Sequence, residues 1–141
     1  MYYALEVAYG LYLGLISIMD IRSKTIPLKW LLCGTIFIPA YFLTGEAGEL
    51  KTKVLGTIPG AVLMLISVAS RGQIGMADAV LIMIMGACIG IGRVISVISI
   101  SLMAIAAVSM LMLIIGKLNR KSTLPYIPFV LLGYVASVVL I

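Results

Sequence analysis

Six apolar segments, separated by short charged or turn-forming stretches, make up most of this sequence. They lie near residues 2–19, 28–44, 54–70, 76–92, 94–115 and 125–141. Each approaches the roughly 20 residues that a helix needs to cross a bilayer. Only 11% of the 141 residues are charged and 63% are apolar, whereas about 25% of a typical soluble domain is charged. We therefore predict a single integral membrane domain over residues 1–141.

The spanning elements are expected to be helices. Backbone in the bilayer must satisfy its own hydrogen bonds, and barrel strands alternate apolar and polar residues, whereas these segments are apolar all round. The prediction is an all-α integral membrane protein with six transmembrane helices. Pro39 and Pro59 fall inside segments and should kink or break them. Residues 90–93 should form a tight turn.

The Lys and Arg residues predict the orientation. Seven lie towards one end of the expected bundle and three towards the other, and the richer end belongs in the cytoplasm. The seven are Arg22, Lys24, Lys29, Arg71, Lys117, Arg120 and Lys121, and the three are Lys51, Lys53 and Arg93, near the solvated Glu46 and Glu49. Both termini are then extracytoplasmic. Because these cations are scattered rather than clustered, no nucleic-acid partner is expected.

Few residues suit a metal or redox site. The chain has no histidine, and Cys33 and Cys88 lie far apart within apolar segments, so we expect no metal, no cofactor and two inert, buried thiols. Glu6 lies about one turn into the first segment. Its expected role is structural, because an acid is stabilised near a helix N-terminus.

Asp20 and Asp78 are the only two aspartates. Asp20 ends the first segment and Asp78 opens the fourth, so both should lie at the cytoplasmic membrane boundary, where ionisable groups are costly and suggest function. Two adjacent carboxyls can share a proton, one activating water while the other protonates a carbonyl, as in aspartic proteases. Charge placement alone leaves open separate structural roles, with Asp20 as an interfacial anchor beside Arg22 and Asp78 as a first-turn acid.

Three short motifs change this balance. Asp20, Arg22, Ile26 and Pro27 have the spacing D-x-R-x-x-x-I-P, and residues 75–78 read Gly-Met-Ala-Asp. Residues 124–129 place two prolines at the start of the last apolar segment. In this order the motifs resemble those of the type IV prepilin peptidases, in which the second motif is G-x-G-D.

The resemblance implies a membrane aspartic endopeptidase that removes the short leader of pilin or pilin-like precursors at the cytoplasmic face of the plasma membrane. It implies Asp20 and Asp78 as the catalytic pair, and supporting roles for the other motif residues, Arg22, Ile26, Pro27, Gly75 and Ala77. The short chain resembles tight-adherence pilus peptidases and archaeal preflagellin peptidases. Nothing corresponds to the cysteine-containing region of the methylating relatives, so no methyltransferase activity is expected. The implied partners are the precursor, with its apolar N-terminal helix, and membrane lipid.

The sequence departs from the family pattern at Ala77, which replaces the second glycine of G-x-G-D, and at Val80, where a lysine is common. If that glycine needs a positive φ, alanine would be strained, whereas alanine serves if only a small residue is needed. We favour the second explanation. A catalytically degenerate scaffold of the same family remains open. So does a small proton-coupled transporter, which would have acids nearer mid-span and a polar pathway.

Overall fold

The structure, a computed structural model, describes residues 1–23, 26–44, 50–71, 75–117 and 124–140, and within these ranges every regular element is helical. The elements are α1 (Tyr2–Ser23), α2 (Leu28–Cys33), a 3-10 turn (Gly34–Ile36), α3 (Phe37–Leu43), α4 (Leu50–Gly56), α5 (Ile58–Ala69), α6 (Met76–Ile89), α7 (Ile91–Ile115) and α8 (Ile127–Leu140). The all-α prediction is confirmed.

These elements group into six apolar units that coincide with the six predicted segments. Three are long and apolar enough to cross a membrane, namely Tyr3–Ser23, Leu50–Ala69 and Ile91–Ile115. The shorter apolar units are Leu28–Leu43, Met76–Ile89 and Ile127–Leu140. The helices α6 and α8 contain 14 residues each, whereas α7 contains 25.

Both predicted proline breaks are present. Pro59 lies at the start of α5, and the chain turns just before it at Thr57, whose hydroxyl donates a hydrogen bond to the Val54 carbonyl at 2.7 Å. Pro39 lies in α3, and the turn before it, Gly34–Ile36, is a 3-10 helix. In both cases the proline ring cannot supply an N–H to the preceding helical turn.

The connection between α6 and α7 is shorter than predicted. Gly90 alone joins them, with a φ of 81° that favours glycine. Arg93 therefore lies inside α7, where its guanidinium pairs with the Glu6 carboxylate of α1 at 2.6 Å. The Glu6 side chain is only 5% exposed. The expected structural role of Glu6 is met in a different way, by a buried ion pair between two helices rather than by the start of its own helix.

Other side chains of the predicted outer loop also differ from expectation. Lys53 is buried in α4, with its ammonium 3.7 Å from the Phe42 ring centroid and donating to the Tyr41 carbonyl at 3.3 Å. An aromatic face and a carbonyl replace water around this charge.

Cys88 is buried as predicted, but Cys33 is exposed on α2. Five charged residues of the orientation argument lie outside the described residues: Lys24, Glu46, Glu49, Arg120 and Lys121.

An aromatic cluster centred on Tyr9 joins α1, α3 and α8. Its ring is fully buried and lies 5.3 to 6.3 Å, centroid to centroid, from Phe37, Tyr41 and Tyr134. The three pairs meet edge to face, the arrangement that aromatic quadrupoles favour. The Tyr134 hydroxyl also donates to the Glu6 carbonyl at 3.2 Å. This cluster fixes α8 against α1.

Glycines allow α4 and α5 to approach α6 closely. A Cβ on Gly86 would overlap the Gly56 carbonyl, and a Cβ on Gly56 would overlap the Gly86 carbonyl. Further along, a Cβ on Gly60 would overlap the backbone of Met83. Small residues at such crossings give apolar helices their van der Waals contact in a membrane.

The glycine crossing predicts a clear stability difference between two Gly→Ala substitutions. Gly86→Ala should lower the free energy of unfolding by about 1–3 kcal/mol, because α4 and α6 must separate to accept the methyl group. Gly14→Ala is the matched control, since a Cβ there meets nothing within 4 Å. Alanine is favoured over glycine within a helix, so this control should be neutral or stabilising. Thermal unfolding of the purified protein in detergent measures both, and equal effects would contradict the crossing.

The Glu6–Arg93 pair predicts non-additive losses. Arg93→Met should cost about 3–5 kcal/mol, because it leaves the buried Glu6 carboxylate without its counter-charge. Glu6→Gln should cost less, because the Arg93 side chain is 21% exposed. The double variant removes both charges and should cost less than the sum of the two. The same unfolding measurement completes the double-mutant cycle. Additive losses would show that the two side chains act independently.

Candidate active site

Asp20 lies on the last turn of α1 and faces the start of α8. Its carboxylate accepts a hydrogen bond from the Ile127 backbone N–H, in the first residue of α8. Its Oδ2 atom is buried and has no hydrogen-bond partner among the residues that the structure describes. One carboxylate oxygen of Asp20 thus accepts a hydrogen bond from the N-terminus of α8. The other oxygen accepts none from the described residues.

Asp78 lies in the first turn of α6, where the helix dipole stabilises a negative charge. Its side chain turns back towards the residue before the helix, so that a Cβ on Gly75 would lie 2.9 Å from Oδ2. Gly75 itself has an extended conformation, with φ −60° and ψ 119°. A side chain at position 75 would therefore displace the Asp78 carboxylate from this position.

The two predicted aspartates are brought together. They are on different helices and 58 positions apart in the sequence (78 − 20). Both nevertheless lie beside the start of α8, where Asp20 accepts the Ile127 N–H and Asp78 lines a cavity together with Tyr126. Each also lies at the N-terminus of a helix, Asp20 at that of α8 and Asp78 at that of α6. Carboxylates at such positions are favoured by the free backbone N–H groups and by the dipole.

The other predicted motif residues differ in how close they lie to the two aspartates and in how deeply they are buried. Ile26 and Ala77 pack against the apolar core, and Pro27 is the residue that precedes α2, with φ −60° and ψ 134°. Gly75 lies directly beside Asp78, as described above. The Arg22 side chain is exposed at the end of α1, and among the described residues no contact links it to the two aspartates.

The two departures from the family pattern have structural explanations. Ala77 lies within α6, and among the described residues Arg71 is the one non-glycine residue with a positive φ. Ala77 therefore needs no left-handed conformation, and the size explanation is the one that fits. Val80, at the position of the common lysine, packs partly buried against the apolar core.

A hydrogen bond that the motifs did not predict joins α7 to the start of α8. The Ser101 hydroxyl lies 2.7 Å from the Val97 carbonyl, 2.9 Å from the Ile98 carbonyl and 3.2 Å from the Tyr126 hydroxyl. Because the single serine proton is directed to the carbonyls, the Tyr126 hydroxyl donates to Ser101. Tyr126 immediately precedes Ile127, so this bond also fixes the backbone N–H that binds Asp20. In the sequence, the only signal is a tyrosine between two prolines.

An apolar cavity of about 200 Å³ adjoins Asp78. It lies between α5, α6, α7 and the start of α8, and is lined by Leu63, Asp78, Ala79, Ile98, Leu102 and Tyr126. Asp78 is the one charged residue in this lining. The cavity thus places a carboxylate beside an apolar space that is partly open at the exposed Leu102.

The two aspartates lie near the end of α1 and the start of α6, but beside the middle of α7. The helix α1 ends three residues after Asp20, and α6 begins two residues before Asp78. In contrast, α7 runs on for 13 residues beyond Leu102 (115 − 102), or about 20 Å at 1.5 Å per residue. The helix α7 therefore extends well beyond the level of the aspartates, whose predicted position at the membrane boundary stays a prediction.

Comparison with known families identifies the chain. A sequence model of the type IV leader peptidase family matches residues 7–141. The chain belongs to the type IV leader peptidase family. Comparisons with curated proteins and with solved structures found no significant match. Membership of the type IV leader peptidase family confirms the resemblance seen in the motifs and indicates a peptidase. The matched range includes both aspartates and the cavity.

The Ser101–Tyr126 hydrogen bond predicts an asymmetry between two single variants of this leader peptidase. Ser101→Ala should cost about 1–3 kcal/mol of unfolding free energy, because it leaves the Tyr126 hydroxyl without its acceptor. Tyr126→Phe removes that hydroxyl and should cost only about 0.5–1.5 kcal/mol. The double variant should cost less than the sum, as measured by thermal unfolding in detergent. Equal single losses that add up would contradict the assigned direction of the bond.

Proposed function

We propose that this protein is an aspartic endopeptidase that removes the leader from pilin or pilin-like precursors, with Asp20 and Asp78 as its catalytic pair. The observation that carries the proposal is the meeting of these two carboxylates at the N-termini of α6 and α8, in a chain of the type IV leader peptidase family. No other described carboxylate lies on these helix ends, since Glu6 is about 21 Å along α1 from Asp20 at 1.5 Å per residue.

The arrangement supports a division of labour between the two acids. Negative charge is best stabilised on Asp20, which accepts the Ile127 N–H, so Asp20 is the general base and Asp78 carries the shared proton. Asp20 takes a proton from water as the water oxygen attacks the peptide carbonyl, and Asp78 donates its proton to the carbonyl oxygen. The tetrahedral intermediate, a gem-diol, then breaks at its C–N bond. One of its hydroxyl groups returns a proton to Asp78 as the carboxyl product forms, and the proton held by Asp20 passes to the leaving nitrogen.

The proposed membrane arrangement follows the charges near the site. We infer that six helical units cross the plasma membrane with both termini extracytoplasmic, so that the aspartates open towards the cytoplasm. The exposed cations at this end of the helices, Arg22, Lys29 and Arg71, support this orientation. The precursor would bring a polar leader from the cytoplasm and an apolar helix that lies in the bilayer. Its scissile bond would then reach the aspartates where leader and helix meet.

Isosteric substitutions test the catalytic pair. Asp20→Asn and Asp78→Asn should each reduce kcat for leader removal by at least about 10²-fold, since neither amide can act as an acid or a base. The assay uses the purified full chain in detergent with a precursor that has a short polar leader, a glycine before the cut and an apolar helix after it. Lys29→Gln, an exposed change on α2, is the control and should cleave normally.

The outcomes separate the proposal from its alternatives. Full cleavage by either aspartate variant would rule out a mechanism with two carboxyls. A wild-type protein that cleaves nothing while Ala77→Gly cleaves would instead favour a degenerate scaffold. Proton-coupled transport into vesicles without any precursor would favour the transporter. Thermal unfolding of each variant shows whether a loss of cleavage comes from a loss of folding.

A further inference from the structure

We propose that Pro128 is a positioning residue for the reaction. Because it has no backbone N–H, the start of α8 binds one oxygen of Asp20 and leaves the other oxygen for the attacking water. This inference rests on the proposed function and adds to it a residue that acts through Asp20 without touching water or precursor.

The first turn of α8 has a single backbone N–H that the helix itself does not use. The N–H groups of Phe129 and Val130 both donate to the Tyr126 carbonyl, at 3.0 and 3.2 Å. Pro128, the second residue of α8, has no N–H. The N–H of Ile127 is therefore the one donor left over in residues 127–130, and Asp20 accepts it.

The same turn fixes the direction of this N–H. The N–H and C=O groups of a trans peptide unit point in opposite directions. Because the Tyr126 carbonyl points along α8 towards Phe129 and Val130, the Ile127 N–H of that peptide unit points out of the helix, towards α1. The Tyr126 hydroxyl is also bonded to Ser101 of α7 at 3.2 Å. The start of α8 thus holds its single free donor in a defined direction.

The two oxygens of Asp20 differ as a result. One accepts the Ile127 N–H, whereas Oδ2 is buried and accepts no hydrogen bond from the described residues. A general base must bind the water whose proton it takes. In the proposed mechanism Oδ2 is the oxygen that binds this water, because no backbone donor of α8 competes for it.

An N–H at position 128 would compete for Oδ2. The N–H groups in the first turn of a helix all point out of its N-terminus, and together they bind anions. An N–H at position 128 would lie beside that of Ile127 and would bind the second oxygen of the same carboxylate. Hydrogen bonds to an ionised carboxylate are strong, so water would reach Oδ2 only by breaking one. Proline avoids this competition and is tolerated in the first turn of a helix.

The chain offers a matched control for this change. The helices α5 and α8 both begin with Ile-Pro, so Pro59 and Pro128 are the second residues of their helices. The start of α5 packs against Met83 of α6, since a Cβ on Gly60 would overlap the Met83 backbone. Substituting alanine for either proline adds one N–H and removes the same restriction on the unfolded chain.

Cleavage kinetics test the role of the missing N–H. Pro128→Ala should lower kcat for leader removal about tenfold at unchanged KM, because water must displace a hydrogen bond to a charged group while the precursor binds as before. Pro59→Ala should leave both constants unchanged. A third protein carries lactic acid at position 128, introduced by nonsense suppression. It has the side chain of alanine but an ester oxygen in place of the N–H, and it should recover the kcat of wild type.

Each outcome decides the role of Pro128. A normal kcat in Pro128→Ala would overturn the inference. So would an equal loss in the alanine and ester proteins, because the proline ring would then be the cause. Equal losses in Pro128→Ala and Pro59→Ala would also overturn it, since they would reflect the loss of any proline. In all three cases wild type still cleaves, and the peptidase proposal stands.

Infrared spectroscopy tests the hydrogen bond without cleavage. In an Asp78→Asn background Asp20 is the only aspartate in the chain, so isotope labelling of the aspartate carboxyl carbon marks its stretching bands alone. At alkaline pH the carboxylate band should shift in Pro128→Ala and stay unshifted in the ester protein and in Pro59→Ala. Identical bands in all of them would overturn the inference. If wild type cleaved no precursor, the proposed function would fail, and the band shift would still support the limit that Pro128 places on Asp20.

Discussion

The N-termini of two helices stabilise two carboxyl groups within an apolar bundle, and this links the positions of α1, α6 and α8. Isolated carboxylates in such surroundings are costly, and bringing two together adds repulsion. The free N–H groups at the start of α8 hold Asp20, while Asp78 lies in the first turn of α6. The helix α1 must therefore end where α6 and α8 begin, which fixes the relative positions of three chain segments that are distant in the sequence.

Close packing maintains this alignment. The Gly56–Gly86 crossing fixes α4 against α6, and the aromatic cluster around Tyr9 fixes α8 against α1. Both contacts lie away from Asp20 and Asp78, nearer to the C-terminal halves of α6 and α8. At the site itself, the Ser101–Tyr126 bond links α7 to the residue before Ile127. The glycine crossing and the aromatic cluster thus hold short, apolar helices in the positions that place the two carboxylates side by side.

Local patterns in the sequence predicted the helical units, because each depends on neighbouring residues. Runs of apolar residues predicted six units, and Pro39 and Pro59 predicted the breaks that α3 and α5 show. The pairing of Asp20 with Asp78 followed from charge, position and the family motifs. The Glu6–Arg93 pair and the Ser101–Tyr126 bond, which join residues 87 and 25 positions apart, could not be predicted. Such contacts depend on how each helix is rotated about its axis and packed against the others, and local sequence patterns do not predict this.

The unequal helix lengths affect the surrounding lipid. At 1.5 Å per residue, α6 and α8 are each about 21 Å long, some 9 Å less than a typical hydrocarbon core of about 30 Å. Beside them α7 measures about 37 Å on the same basis, which exceeds that core. In the proposed membrane arrangement, acyl chains that border the exposed face of α8 must shorten or splay to avoid contact with its polar ends. In that arrangement the bilayer is thinnest next to the start of α8, so that headgroups and water come closest to the two aspartates there.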